Sequence, residues 1–110
     1  MAIFKSTPVT KIINGLTIKT SSSVLVSNEN YTTNGEDAII IKDVDYCTIT
    51  LDSKTTERIT IKALSNVLIV SDHLIDDEFN EIELQKGASV ELRFLKEGWF
   101  IMSSDGLKNS

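Results

Sequence analysis

Three runs decide the fold: YCTITL from Tyr46 to Leu51, RITIKAL from Arg58 to Leu64, and NVLIVS from Asn66 to Ser71. In the first, Cys47, Ile49 and Leu51 fall on one face and Tyr46, Thr48 and Thr50 on the other. The second repeats the pattern, with Ile59 and Ile61 against Arg58, Thr60 and Lys62. Period-two alternation of this kind makes a strand with one dry face and one wet face. NVLIVS departs from it. Val67 and Ile69 lie on one side and Leu68 and Val70 on the other, so both faces call for cover. Two sources of that cover stand open: a neighbouring copy of the chain, or the N-terminal segment folded back.

Working outward, AIIIK precedes these runs, and NEIELQ, SVELRFLK and WFIM follow them, each bounded by turn-forming or charged residues. Ile82 and Leu84 point inward while Glu81, Glu83 and Gln85 point outward. Lys86-Gly87 turns the chain, and Val90, Leu92 and Phe94 line the inside of the returning strand. Lys96-Glu97-Gly98 makes a second tight turn, after which Trp99 and Ile101 take one face and Phe100 and Met102 the other. The pattern predicts an all-β domain over residues 34–110, built of short antiparallel strands in a small sandwich or barrel-like arrangement. Residues 1–33 read as an extended arm, rich in Ser, Thr and Asn, interrupted by Pro8 and Gly15, with strand-like runs at TKIING, LTIKT and SVLVS.

Composition narrows the function. A chain of 110 residues is one domain's worth, and its Ile, Val, Leu and Thr favour a pleated surface over a helix. The net charge of -5 opposes a nucleic-acid partner, whose binding draws on lysine and arginine against phosphate. Cys47 is the single cysteine, so neither an intrachain disulfide nor a zinc site is expected. The N-terminal MAIFKSTPVTKIING has no apolar core before a cleavage site, and no run approaches the roughly 18 apolar residues of a membrane span. The expectation is a protein made in the cytoplasm, with no membrane partner.

Candidate chemistry is sparse. His73 sits among carboxylates in VSDHLIDDEFN, but no serine or cysteine nucleophile lies near it in sequence, so a solvated loop histidine is expected. Asp72, Asp76, Asp77 and Glu78, with Asp43 and Asp45 elsewhere, offer oxygen ligands to a hard cation without the spacing of a calcium loop, and read as solvated acidic loops. Cys47 falls on an apolar face, and Trp99 reads as core or interface before it reads as a sugar platform. No nucleotide-binding glycine pattern occurs. The chain is expected to be non-enzymatic, with no cofactor and no metal.

The succession TITL, RITIK, NVLIV, IELQKGASVELRF and EGWFIM resembles a β-repeat region of tailed-phage virion proteins, found in head fibres, capsid decoration proteins and tail fibres. The resemblance covers about Tyr31 to Met102 and is most specific at Leu84, Gly87, Ser89, Val90, Leu92, Gly98, Trp99 and Ile101. SDHLIDDEFN departs from the pattern, which more often has a glycine-rich turn there. The resemblance implies a stiff, non-enzymatic homotrimer on the virion, and the short chain suits a capsid decoration or head-fibre protein on the capsid surface. Its partner would be the major capsid protein or another virion protein. The alternative is a receptor- or glycan-binding module, or a tail or baseplate adaptor. Interface positions are expected at Ile3, Phe4, Ile12 and Ile13 in the arm, and at Leu68, Val70, Trp99 and Phe100 in the domain. Met1 to about Thr20 carries Lys5, Lys11 and Lys19 and no acid, and is expected to attach the protein to a larger assembly. The competing expectation is that this segment only completes the protein's own sheet.

Overall fold

A computed structural model describes residues 3–13 and 16–106, with side chains described from Val24 to Gly106. The described residues form ten strands and no helix: β1 Ile3–Ile13, β2 Leu16–Ser27, β3 Tyr31–Thr32, β4 Ala38–Ile41, β5 Tyr46–Leu51, β6 Arg58–Ala63, β7 Asn66–Ile75, β8 Phe79–Leu84, β9 Ser89–Leu95 and β10 Gly98–Asp105. The alternation read at Tyr46–Leu51 and Arg58–Ile61 corresponds to β5 and β6, with Cys47, Ile49, Leu51, Ile59 and Ile61 buried.

The strands do not make a sandwich of antiparallel ribbons. The chain winds in layers, as a solenoid does. One wall consists of the end of β2, then β4, then β6, all parallel, in the register Leu25–Ile39–Ile61. The facing wall consists of β3, β5 and β7, also parallel, in the register Tyr31–Ile49–Ile69. The expected antiparallel sandwich or barrel is therefore corrected to parallel stacking closed by an antiparallel end. From β2 to β7 each strand is followed by a turn that carries the chain to the opposite wall rather than back beside itself, so the neighbours in these walls are one layer apart in sequence.

Ile39 stacks on Ile61 and Ile49 on Ile69 as a consequence. Ile39, Ile41, Ile59 and Ile61 of one wall meet Ile49, Leu51, Val67 and Ile69 of the other in one core. Burying each such aliphatic side chain stabilises the fold by about 1.5–3 kcal/mol. β-Branched residues suit this position because their restricted rotamers match the pleat and repeat from layer to layer.

The fourth layer runs in reverse. β8 pairs antiparallel with β7, placing Ile82 opposite Ile69 and Leu84 opposite Val67, and β9 pairs antiparallel with β6, placing Val90 opposite Ile61 and Leu92 opposite Ile59. Gly87 turns between them with φ +97°, a left-handed conformation that costs glycine nothing. β10 then returns along β9. At the opposite end, β1 pairs antiparallel with the whole of β2, from Ile3–Val26 to Ile13–Leu16. Only Val24–Ser27 of β2 pairs with β4, so the β1–β2 ladder runs past the layered body.

Side-chain oxygens cap backbone amides at the corners between walls. Asn30 Oδ1 accepts from Thr48 N (2.8 Å), Thr33 Oγ1 from Asp52 N (2.9 Å), and Asn66 Oδ1 from Lys86 N (3.1 Å). Such short polar side chains satisfy amides that leave the ladder where the chain turns.

Candidate functional site

SDHLIDDEFN is not a loop. β7 continues through it to Ile75, Asp76 and Asp77 take positive φ (53° and 58°), and Glu78 N donates to Ile75 O at 3.1 Å, so a tight turn over Asp76, Asp77 and Glu78 leads into β8. Aspartate tolerates this left-handed geometry better than most residues, and paired positive φ angles match the twist of a hairpin. The β7–β8 register shifts between Val70 and Ile75. That irregularity re-aims the side chains of Asp72 and His73 out of the ladder, as bulges do.

Asp72 is then brought against two distant segments, at Ser53 and Trp99, and against its neighbour His73. Its Oδ2 accepts from the Ser53 hydroxyl (2.6 Å) and the Ser53 amide (2.9 Å). Its Oδ1 accepts from Trp99 Nε1 (3.0 Å) and lies 3.2 Å from His73 Nδ1. Partial burial works to raise the carboxyl pKa. The bonds from Ser53, Trp99 and His73 together outweigh it and hold the group well below the ordinary carboxylate range. Trp99 is fully buried by its own chain and packs edge-on against Phe94 at 5.3 Å, and His73 packs edge-on against the same ring at 5.0 Å.

Serine, histidine and aspartate are thus assembled, but not as a nucleophilic relay. A relay needs the hydroxyl to donate to histidine while the other ring nitrogen faces the carboxylate. Here the Ser53 hydroxyl donates to Asp72, and the same His73 nitrogen faces both groups, at 3.5 Å from Ser53 Oγ. The arrangement pins a corner. Sequence reading missed Ser53, which lies one layer away from Asp72.

A second corner is buried. Glu36 accepts from the Tyr31 hydroxyl and from Asn34 N (2.7 Å), and the Tyr31 pKa is pushed up to about 12, by burial first and then by the adjacent Glu36 carboxylate. Burial likewise pushes the Cys47 thiol up, away from the thiolate that reactive use requires.

An open cleft of about 430 Å³ lies elsewhere, between the Gly35–Asp37 and Ser53–Arg58 segments and Arg93. Its rim is held by the chain itself. Gly35 N donates to Thr56 Oγ1 (2.9 Å), the Thr55 hydroxyl donates to Thr33 O (2.8 Å), and Lys54 N donates to Asp52 Oδ1 (2.9 Å). Arg58 and Arg93 stand directly opposite each other across β6 and β9.

Of the expected interface positions, the side chains of Ile3, Phe4, Ile12 and Ile13 lie outside the described residues. Leu68 and Val70 are half-buried on the outer face of β7, in rows with Thr48 and Thr50 on one side and Glu83 and Glu81 on the other. Phe100 is half-buried opposite Arg93, on the β9 side. Of the two readings of Trp99, core and interface, the described residues show the core one: it is 0% exposed, so it offers no surface to a partner copy or to a sugar ring. The core took it because it ends a meander whose inside it closes.

No family model, no curated protein and no solved structure matches the chain. Among the described residues no group of three or more His, Cys, Asp or Glu is placed to hold a metal ion, and no helix is long and apolar enough to cross a membrane.

Proposed function

We propose that this chain is a structural component of a tailed-phage particle, a capsid decoration or head-fibre protein that acts as a homotrimer. The observation that carries this reading is the asymmetry of the fold. One end of the layered body is finished by a reversed layer, and the other continues into the long β1–β2 ladder. A body of stacked strands is stiff, and a strand pair reaching past it supplies main-chain edges for addition to another sheet. The polar groups at the Asp72 corner support the same reading, since they are spent on one another rather than aimed at a substrate. The N-terminal segment, with Lys5, Lys11 and Lys19 in an acidic chain, attaches the protein to the major capsid protein or another virion protein at the capsid surface.

The register supplies a clean test. Thr7 pairs with Ser22, so replacing Pro8–Ser21 by Asn-Gly shortens the ladder and leaves Ile3–Lys5 paired with Val24–Val26. The expected result is a folded oligomer that no longer co-sediments with particles. A shortened protein that decorates particles normally overturns the attachment role. A second reading, a receptor- or glycan-binding module or a tail or baseplate adaptor, is favoured by one feature, the cleft beside Arg93.

A further inference from the structure

We propose that the cleft beside Arg58 and Arg93 is a binding site for a carboxylate-bearing saccharide. The two guanidinium side chains are direct partners across an antiparallel ladder, which places their Cβ atoms about 5 Å apart. Both are exposed, and neither forms an ion pair with a described residue. Like charges placed opposite each other destabilise a sheet. This chain carries more acids than bases, yet at this cleft it sets two arginines face to face and adds Lys54, three cations against the two carboxylates of Asp37 and Glu57. A bound anion removes that repulsion, and a planar carboxylate matches the guanidinium fork with paired hydrogen bonds.

The rest of the lining specifies what carries the carboxylate. No apolar side chain lines the cleft, which excludes a ligand that must bury a greasy body. Asp37 and Glu57 line the same cleft, so a dianionic phosphate is repelled more strongly than a monoanion whose other polar groups are neutral hydroxyls. Sugar hydroxyls donate to such a carboxylate and accept from Lys54. The rim bonds from Gly35 to Thr56 and from Thr55 to Thr33 order the wall before any ligand arrives, which limits the entropic cost of binding. The volume of about 430 Å³ is in the range of small-ligand sites.

The inference deepens the glycan-binding reading and is independent of where the protein sits, so it is tested on the isolated chain. Calorimetric titration would use disaccharides ending in glucuronic acid or sialic acid, their neutral counterparts, and inorganic phosphate. An acidic disaccharide is expected to bind at least about tenfold more tightly than its neutral counterpart and than phosphate, and more weakly as salt rises. Arg58→Gln and Arg93→Gln should each weaken it by about tenfold or more, while Lys42→Gln leaves it unchanged. Without ligand, Arg93→Gln should raise the Tm at low ionic strength, because it removes repulsion; this also shows that the variant folds. Failure of both acidic disaccharides to bind at millimolar concentration, binding unaffected by either arginine substitution, phosphate binding as tightly, or a lowered Tm for Arg93→Gln overturns the proposal.

Discussion

Asp72 gathers the most consequence into one side chain. It is the acceptor for the indole N–H of a fully buried tryptophan, so Asp72→Ala leaves that donor without a partner and should destabilise the fold by about 1–3 kcal/mol. Its folded pKa lies below the unfolded value of about 3.9, so its ionised form contributes stability that is fully present above that value and is lost as pH falls toward the depressed one. Denaturant unfolding at a series of pH values checks this: Asp72→Asn should be less stable than the wild type at pH 7, with the gap closing below about pH 4. A gap constant with pH would show that the charge of Asp72 plays no part. None of this was legible in the sequence, where His73 and Asp72 read as loop decoration. Ser53, Asp72 and Trp99 meet only because the chain returns to the same corner once per layer, and a one-dimensional pattern carries no such closure.

Strand positions were far more legible than strand partners. YCTITL and RITIKA name β5 and β6, and their inward residues, because alternation is a local property of one strand against one core. Parallel pairing is not local. The segment between β5 and β6 is as compatible with a hairpin as with a passage to the opposite wall, and an antiparallel reading followed from turn spacing alone. The doubly apolar NVLIVS was the best hint, since parallel strands tend to be apolar on both faces. Turn chemistry was read partly. Lys96 and Glu97, not Gly98, take positive φ (50° and 64°) between β9 and β10. Glutamate pays steric strain there that glycine does not, so Glu97→Gly should stabilise the protein by about 0.5–1 kcal/mol, measurable as a raised denaturant midpoint. Two of the three glycines that take positive φ among the described residues, Gly35 and Gly87, should differ in tolerance. A Cβ at Gly87 meets nothing within 4 Å, whereas one at Gly35 meets Thr55 O at 3.3 Å, so Gly35→Ala should cost more than Gly87→Ala.

For the molecule as a whole, the outer row of Leu68 and Val70 is the test of self-association. If copies meet there, Leu68→Glu places a charge in the contact, and light scattering should fall from three times the 12.2 kDa chain mass to one, with the circular dichroism of the β-fold kept. An unchanged mass would move the contact elsewhere. The reversed layer of β8 and β9 has a further consequence. A parallel stack left open at its last layer offers the next copy a ready template, and would grow. Here the final layer points the other way, so the parallel series of walls ends at β6 and β7 whatever lies below it. Height is thereby separated from termination. A second copy of Ala38–Ile59 inserted after Ile59 would lengthen the body by one strand spacing, about 4.8 Å, and leave the closing layer with the same β6 and β7 to rest on. A protein built this way is a ruler with graduations, and gene duplication within it changes its length in whole steps.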